Sequence, residues 1–204
     1  MSIVTKSLQL AAKFLHHKKP IVFPSDTLYG ILADALAKHL VDKVYLIKKR
    51  SPSKPYIILI KDLEDLQIFD VSLSKKEKEL LKLKGISVLL SLKSPDRFGY
   101  LHRGTGKLAF RIPDDPLTLK LLKMVNRPLI APSANPEGKP PARSIDEAYR
   151  YFTEKIPVYF DWGFKKNTTP SSLIYEKEGK IVFLRKGRKF EEIEKLSTNY
   201  TFGR

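Results

Sequence analysis

Along the chain, short apolar, β-branched runs alternate with stretches whose apolar residues recur every three or four positions. That switching between the strand and helix periods predicts an α/β layer fold. A first helix is expected over residues 5–17, with Leu8, Ala11, Ala12 and Leu15 on one face. A strand over 21–23 ends at Pro24, and the loop PSDTLYG leads to a helix over 36–49 with Leu36, Leu40, Val44 and Ile47 turned inward. Strands are read at 56–60, 86–92, 108–112 and 128–131, and helices at 74–83 and 116–125; residues 93–106 are read as a loop. Ser144 has the character of an N-cap for a helix through Phe152. Three short strands near 157–160, 172–175 and 180–184 precede a terminal helix from about 188. No repeat, heptad run or linker-like stretch interrupts this order, so a single domain over residues 1–204 is expected.

Composition narrows the chemistry. With no cysteine there is no disulfide, thiolate nucleophile or iron–sulfur cluster. His16, His17, His39 and His102 show no H-E-x-x-H pattern, so no metal site is expected. The N-terminal basic cluster follows the apolar stretch rather than preceding it, and no apolar run approaches membrane-span length. A cytoplasmic protein without membrane attachment is the expectation. The net charge of +16 favours polyanionic partners, although solvated lysines alone account for part of it.

Some polar groups are better placed than others to do chemistry. Thr27 and Tyr29 follow the first strand in a turn begun by Pro24. Residues 38–54 hold Lys38, Lys43, Lys48, Lys49, Arg50 and Lys54 against Asp42 alone. Cations in the last turn of a helix suit its dipole, but Arg50 and Lys54 lie beyond that turn and bracket Pro52. Such a stiff basic turn suits phosphate groups. Arg111 interrupts the core-like strand LAFRI, and Arg185 ends IVFLR. A buried arginine needs an anion, either a protein carboxylate or a ligand carboxylate or phosphate. With Ser133 and Asn135 of the proline-rich loop 132–143, these arginines suggest a pocket for a small anionic ligand. RGTGK at 103–107 lacks P-loop spacing and runs into a strand. The residue set suits electrostatic rather than covalent catalysis.

The same segments resemble a known family. FPSDTLYGI, LIKKRSPSKPYIILI, LAFRIPDDP, APSANPEGKPP, TPSSLIY and IVFLRKG are similar, in order, to the six motifs of the YrdC-like threonylcarbamoyl-AMP synthases, and span residues 20–187. The resemblance implies a single-domain α/β fold, a twisted mixed parallel and antiparallel sheet with flanking helices and a basic cavity. It implies synthesis of threonylcarbamoyl-AMP and pyrophosphate from L-threonine, bicarbonate or carbon dioxide, and ATP, with Mg²⁺ carried by the ATP. The product would serve threonylcarbamoyl-adenosine formation in tRNA through downstream threonylcarbamoyl-transfer proteins. Carried over by position, Thr27, Arg111, Ser133 and Ser171 would hold threonine. Arg50, Lys54, Asn135, Arg143 and Arg185 would hold ATP, and Lys48 with Arg50 would carry the catalytic charge. The chain departs from the family pattern at Ser25, Leu59, Ser87, Lys107 and Tyr175, and lacks its W-P-G-P stretch. An RNA-binding protein of the same fold, or a paralogue acting on another carbamate, is the alternative reading.

Overall fold

The computed structural model of the chain describes residues 1–166, 169–196 and 200–202. Its centre is a mixed sheet buried on both faces. β2 (Ile21–Pro24) and β3 (Tyr29–Asp34) pair antiparallel, and β3 pairs with β7 (Leu129–Ile130). β7 is antiparallel to β4 (Ile57–Leu59), which runs parallel to β6 (Lys107–Arg111). Beyond β6 come β5 (Ser87–Ser91), β9 (Leu173–Lys177), β10 (Lys180–Arg185) and β11 (Tyr200–Phe202). β8 (Val158–Phe160) and β1 (Ile3–Thr5) complete the opposite edge beside β2. The mixed sheet with flanking helices is the architecture expected from the sequence.

Strand alternation distributes the apolar residues between two layers. Ile21, Phe23, Leu32, Leu59 and Leu129 pack against α1 (Leu8–His16) and α5 (Pro116–Val125). Val22, Ile31, Ala33, Ile58, Ile60 and Ile130 face the larger cluster that includes α2 (Lys38–Lys48), α3 (Lys75–Lys82), α4 (Gly99–His102) and α6 (Ile145–Phe152). Each fully buried large aliphatic side chain contributes about 1.5–3 kcal/mol. The helix ends follow the sequence: Ser74 forms a capping box with Glu77, and Asp115 and Ser144 cap α5 and α6.

Local differences have physical causes. β3 begins inside the expected loop at Tyr29 and Gly30 and continues through residues to which the sequence pattern assigns no element; burial on both faces leaves it no polar alternation to reveal a strand. The first helix starts at Leu8, because Ile3–Thr5 pairs with β8 and the Ser7 hydroxyl accepts from Leu10 N. The expected loop 93–106 contains a 3₁₀ turn at Pro95–Phe98 and then α4, with Phe98 and Leu101 buried. The terminal helix is α7 (Phe190–Leu196). Among the described residues, no helix is long and apolar enough to cross a membrane.

Candidate functional site

Strands of this sheet and the loops beside them line a cavity of about 640 Å³. Six of the residues picked from sequence line it: Thr27, Arg50, Arg111, Ser133, Ser171 and Arg185. Leu28, Ile57, Leu89 and Leu173 supply apolar wall. The sheet itself brings these groups together, since β6 is parallel to β4 and antiparallel to β5, which in turn is parallel to β9.

Arg111 ends β6, and its guanidinium is buried. Leu108, Phe110 and Ile112 join the larger apolar cluster, whereas Ala109 and Arg111 face the cavity. Nη2 lies 3.0 Å from Asp26 Oδ1, with both side chains at most 4% exposed. Nη1 donates to Thr27 Oγ1 at 3.4 Å. Burial weakens the arginine's hold on its proton, and Asp26 opposes that effect. Nε finds no hydrogen-bond acceptor among the described residues, so part of the fork is unsatisfied. Asp26 is the partner that sequence reading did not identify. Its only signal was a carboxylate between two hydroxyl residues, Ser25 and Thr27, in a tight turn. That turn is tied down from outside: Asp114 N donates to Asp26 Oδ2 at 3.2 Å, and Arg188 donates to the Asp26 carbonyl.

Arg185 occupies the neighbouring wall. Its Nε donates to Ser171 O at 3.0 Å and Nη2 to Ser171 Oγ at 3.3 Å. Burial, then the nearby charges of Arg111 and Arg50, lower its proton affinity. Ser87 stands behind Ser171, their hydroxyl oxygens 2.8 Å apart. Close backbone approach requires Gly187 here, since a Cβ would meet Pro170 O at 2.2 Å. Across the cavity Gly30 plays a similar part, where a Cβ would sit 3.1 Å from Pro132 O.

The other predicted residues shape the surroundings without lining the cavity. Lys48 is 1% exposed, and its ammonium donates to the carbonyls of Ser133 and Asn135. Burial first, and then the neighbouring Arg50, push it down to about 7. Asn135 is occupied within its own loop, accepting from Ser133 Oγ at 2.5 Å and donating to Lys139 O at 2.6 Å. Lys54 is exposed and pairs with Glu137, which also accepts from Ser51 N at 2.6 Å. Glu137, the other overlooked carboxylate, thus links the proline-rich loop to the basic turn. Arg143 is exposed and lies over the Phe164 ring at 4.6 Å. Leu59 belongs to the apolar layer against α1 and α5, while Lys107 lines the cavity and approaches the Tyr175 ring at 5.2 Å.

The profile of the Sua5/YciO/YrdC family, described as "Telomere recombination", matches residues 13–187. The chain belongs to that family. It is 32% identical over 192 residues to the Threonylcarbamoyl-AMP synthase of Pyrococcus abyssi, covering 93% of this chain and 56% of that protein. The Threonylcarbamoyl-AMP synthase of Bacillus subtilis is 31% identical over 156 residues, covering 75% of this chain and 45% of that protein. The crystal structure of P. abyssi Sua5 complexed with L-threonine superposes with a TM-score of 0.87 at 28% identity, covering 100% of this chain and 62% of that one. The chain therefore spans about half the length of these two synthases.

Proposed function

We propose that this Sua5/YciO/YrdC family chain is an L-threonylcarbamoyladenylate synthase, a nucleotidyltransferase. It joins L-threonine, bicarbonate and ATP into threonylcarbamoyl-AMP, releasing pyrophosphate and water. One observation carries the reading: Arg50, Arg111 and Arg185 share a cavity with the hydroxyls of Thr27, Ser133 and Ser171. Neither Arg50 nor Arg185 has a carboxylate partner among the described residues; their side chains donate to Lys54 O and to Ser171. Converging cations without counter-anions favour an anionic ligand strongly. The names of the P. abyssi and B. subtilis relatives, and the L-threonine bound to P. abyssi Sua5, support the same substrates.

In this reading Arg111 takes the threonine carboxylate, with Thr27, Ser133 and Ser171 around the amino acid. Bicarbonate carboxylates the threonine amine with loss of water. A carbamate oxygen then attacks the α-phosphate, and the pyrophosphate leaves. Arg50 and Arg185 stabilise charge on the phosphates, which is electrostatic catalysis rather than covalent. Lys48 and Asn135 hold the loop that carries Ser133; Lys54 and Arg143 attract the nucleotide from the rim. Asp26 and Glu137 are engaged by Arg111 and Lys54, so a Mg²⁺ ion arriving with ATP would keep its ligands on phosphate and water. The protein would act in the cytoplasm, handing its product to threonylcarbamoyl-transfer proteins that modify tRNA.

The test is incubation with ATP, bicarbonate and single amino acids, following pyrophosphate and the adenylate by mass spectrometry. Pyrophosphate release and an adenylate are expected only with threonine and bicarbonate together. Equal release with serine or alanine would reject the threonine assignment. No release with any amino acid, together with salt-sensitive RNA binding, would favour the RNA-binding alternative.

A further inference from the structure

Helix α2 carries Lys38, Asp42 and Tyr45 at spacings of four and three, and therefore on one face. Asp42 is 2.7 Å from Lys38 and 2.7 Å from Arg103, the C-cap residue of α4. The Arg103 guanidinium carbon lies 4.2 Å from the centroid of the Tyr45 ring. Tyr45 stacks on Tyr56, centroids 4.2 Å apart and planes 19° from parallel. Arg50, which lines the cavity, lies 5.4 Å from the Tyr56 centroid. Contacts thus run from Arg103 through two buried tyrosines to Arg50. The Tyr45 hydroxyl and Arg50 Nε also donate to the same oxygen, Lys54 O, at 2.9 and 3.3 Å.

An arginine on a turn loses much side-chain freedom when it is pinned to a ligand. Holding Arg50 against an aromatic face removes part of that loss from the binding step. Arg103 does not line the cavity. We propose that Arg103 is a positioning residue for the anion site, acting through Tyr45 and Tyr56 to hold Arg50 where a nucleotide phosphate meets it. This rests on the adenylate-forming reading above. It gives a purpose to the first residue of RGTGK, a segment whose sequence pattern suggested none.

The experiment compares wild type, Arg103→Gln, Arg103→Lys, Arg50→Gln and the double variant Arg50→Gln/Arg103→Gln by calorimetric titration with ATP and with L-threonine. Arg103→Gln is expected to weaken ATP binding about three- to tenfold while threonine affinity holds. Arg103→Lys should recover part of the loss, and adding Arg103→Gln to Arg50→Gln should cost nothing more. An unchanged ATP affinity in Arg103→Gln, or the same loss in both backgrounds, would overturn the proposal. Wild type that binds no ATP would instead remove the adenylate-forming reading. In that case ¹⁵N relaxation of the Arg50 Nε–H in the unliganded protein decides the matter: loss of order in Arg103→Gln supports positioning, and an unchanged signal overturns it.

Discussion

Arg111 and Arg50 line the same cavity from two different kinds of backbone. Arg111 sits on a central strand, fully buried, with Asp26 against its guanidinium. Arg50 sits on a turn, half-buried, with a carbonyl and an aromatic ring beside it and no ion-pair partner among the described residues; Glu137 feels its charge only from a distance. The first arginine is part of the fold's own charge balance; in the proposed function the second meets a phosphate. Removing one should therefore be felt first as lost stability, and removing the other first as lost affinity.

The largest effect belongs to the buried pair. Arg111→Met leaves the Asp26 carboxylate without its cation in a desolvated turn, and should destabilise the protein by about 3–5 kcal/mol in urea unfolding. Adding Asp26→Asn to Arg111→Met should restore part of the loss, because no uncompensated charge then remains. A single variant within 1 kcal/mol of wild type would dissolve the contrast between the two arginines. On the turn, Arg50→Ala should leave unfolding unchanged and cost about 1.5–3 kcal/mol of ATP binding, roughly ten- to a hundredfold. Lys54→Ala should lose less, since that side chain is exposed and pairs with Glu137 outside the cavity lining.

The same contrast explains what could be read from the sequence. Arg111 was conspicuous because a charge inside an alternating apolar strand has few explanations. Whether its anion was a protein carboxylate or a ligand stayed open, because Asp26 is 85 positions away and pairing at that distance depends on topology. Asp26 supplies the protein carboxylate, while Nε has no acceptor among the described residues. Helices α1, α2, α3, α5 and α6 were legible from their periodicity, and α6 also from its cap Ser144, whereas the four-residue α4 lay inside an expected loop. β3 was not, since a strand buried on both sides carries no alternation. Lys48 was legible as a cation at a helix end but not as a buried one. Its burial depends on the loop at 133–137 folding back over it, and no local pattern encodes that.

Lys48 ties the stability of the fold to pH. Its folded-state value of about 7 lies below the ordinary lysine value of 10.5, so between these limits the unfolded chain binds more protons than the native one. Stability contributed by this group is therefore fully present above 10.5 and is lost as pH falls toward 7. A neutral amine has two N–H groups, matching the two carbonyls it serves. The advantage of wild type over Lys48→Met should grow from pH 7 to pH 10 by no more than about 1.4 kcal/mol per pH unit. Urea titrations at several pH values that show a constant difference would mean the amine stays charged in the folded protein.

The smallest effect should come from Tyr45→Phe. The ring remains, so stacking on Tyr56 and the contact with Arg103 survive. Only the hydroxyl's bond to Lys54 O is lost, and that oxygen keeps the weaker donation from Arg50 Nε at 3.3 Å. A single neutral hydrogen bond contributes about 0.5–1.5 kcal/mol. Because this one closes the basic turn rather than joining layers of the core, the loss should divide unequally. ATP affinity should fall a few-fold, while threonine affinity and the urea midpoint stay near wild type. Calorimetry and unfolding on the same preparation separate the two. A shifted midpoint with intact ATP affinity would place the turn with Arg111, as part of the fold, rather than with Arg50.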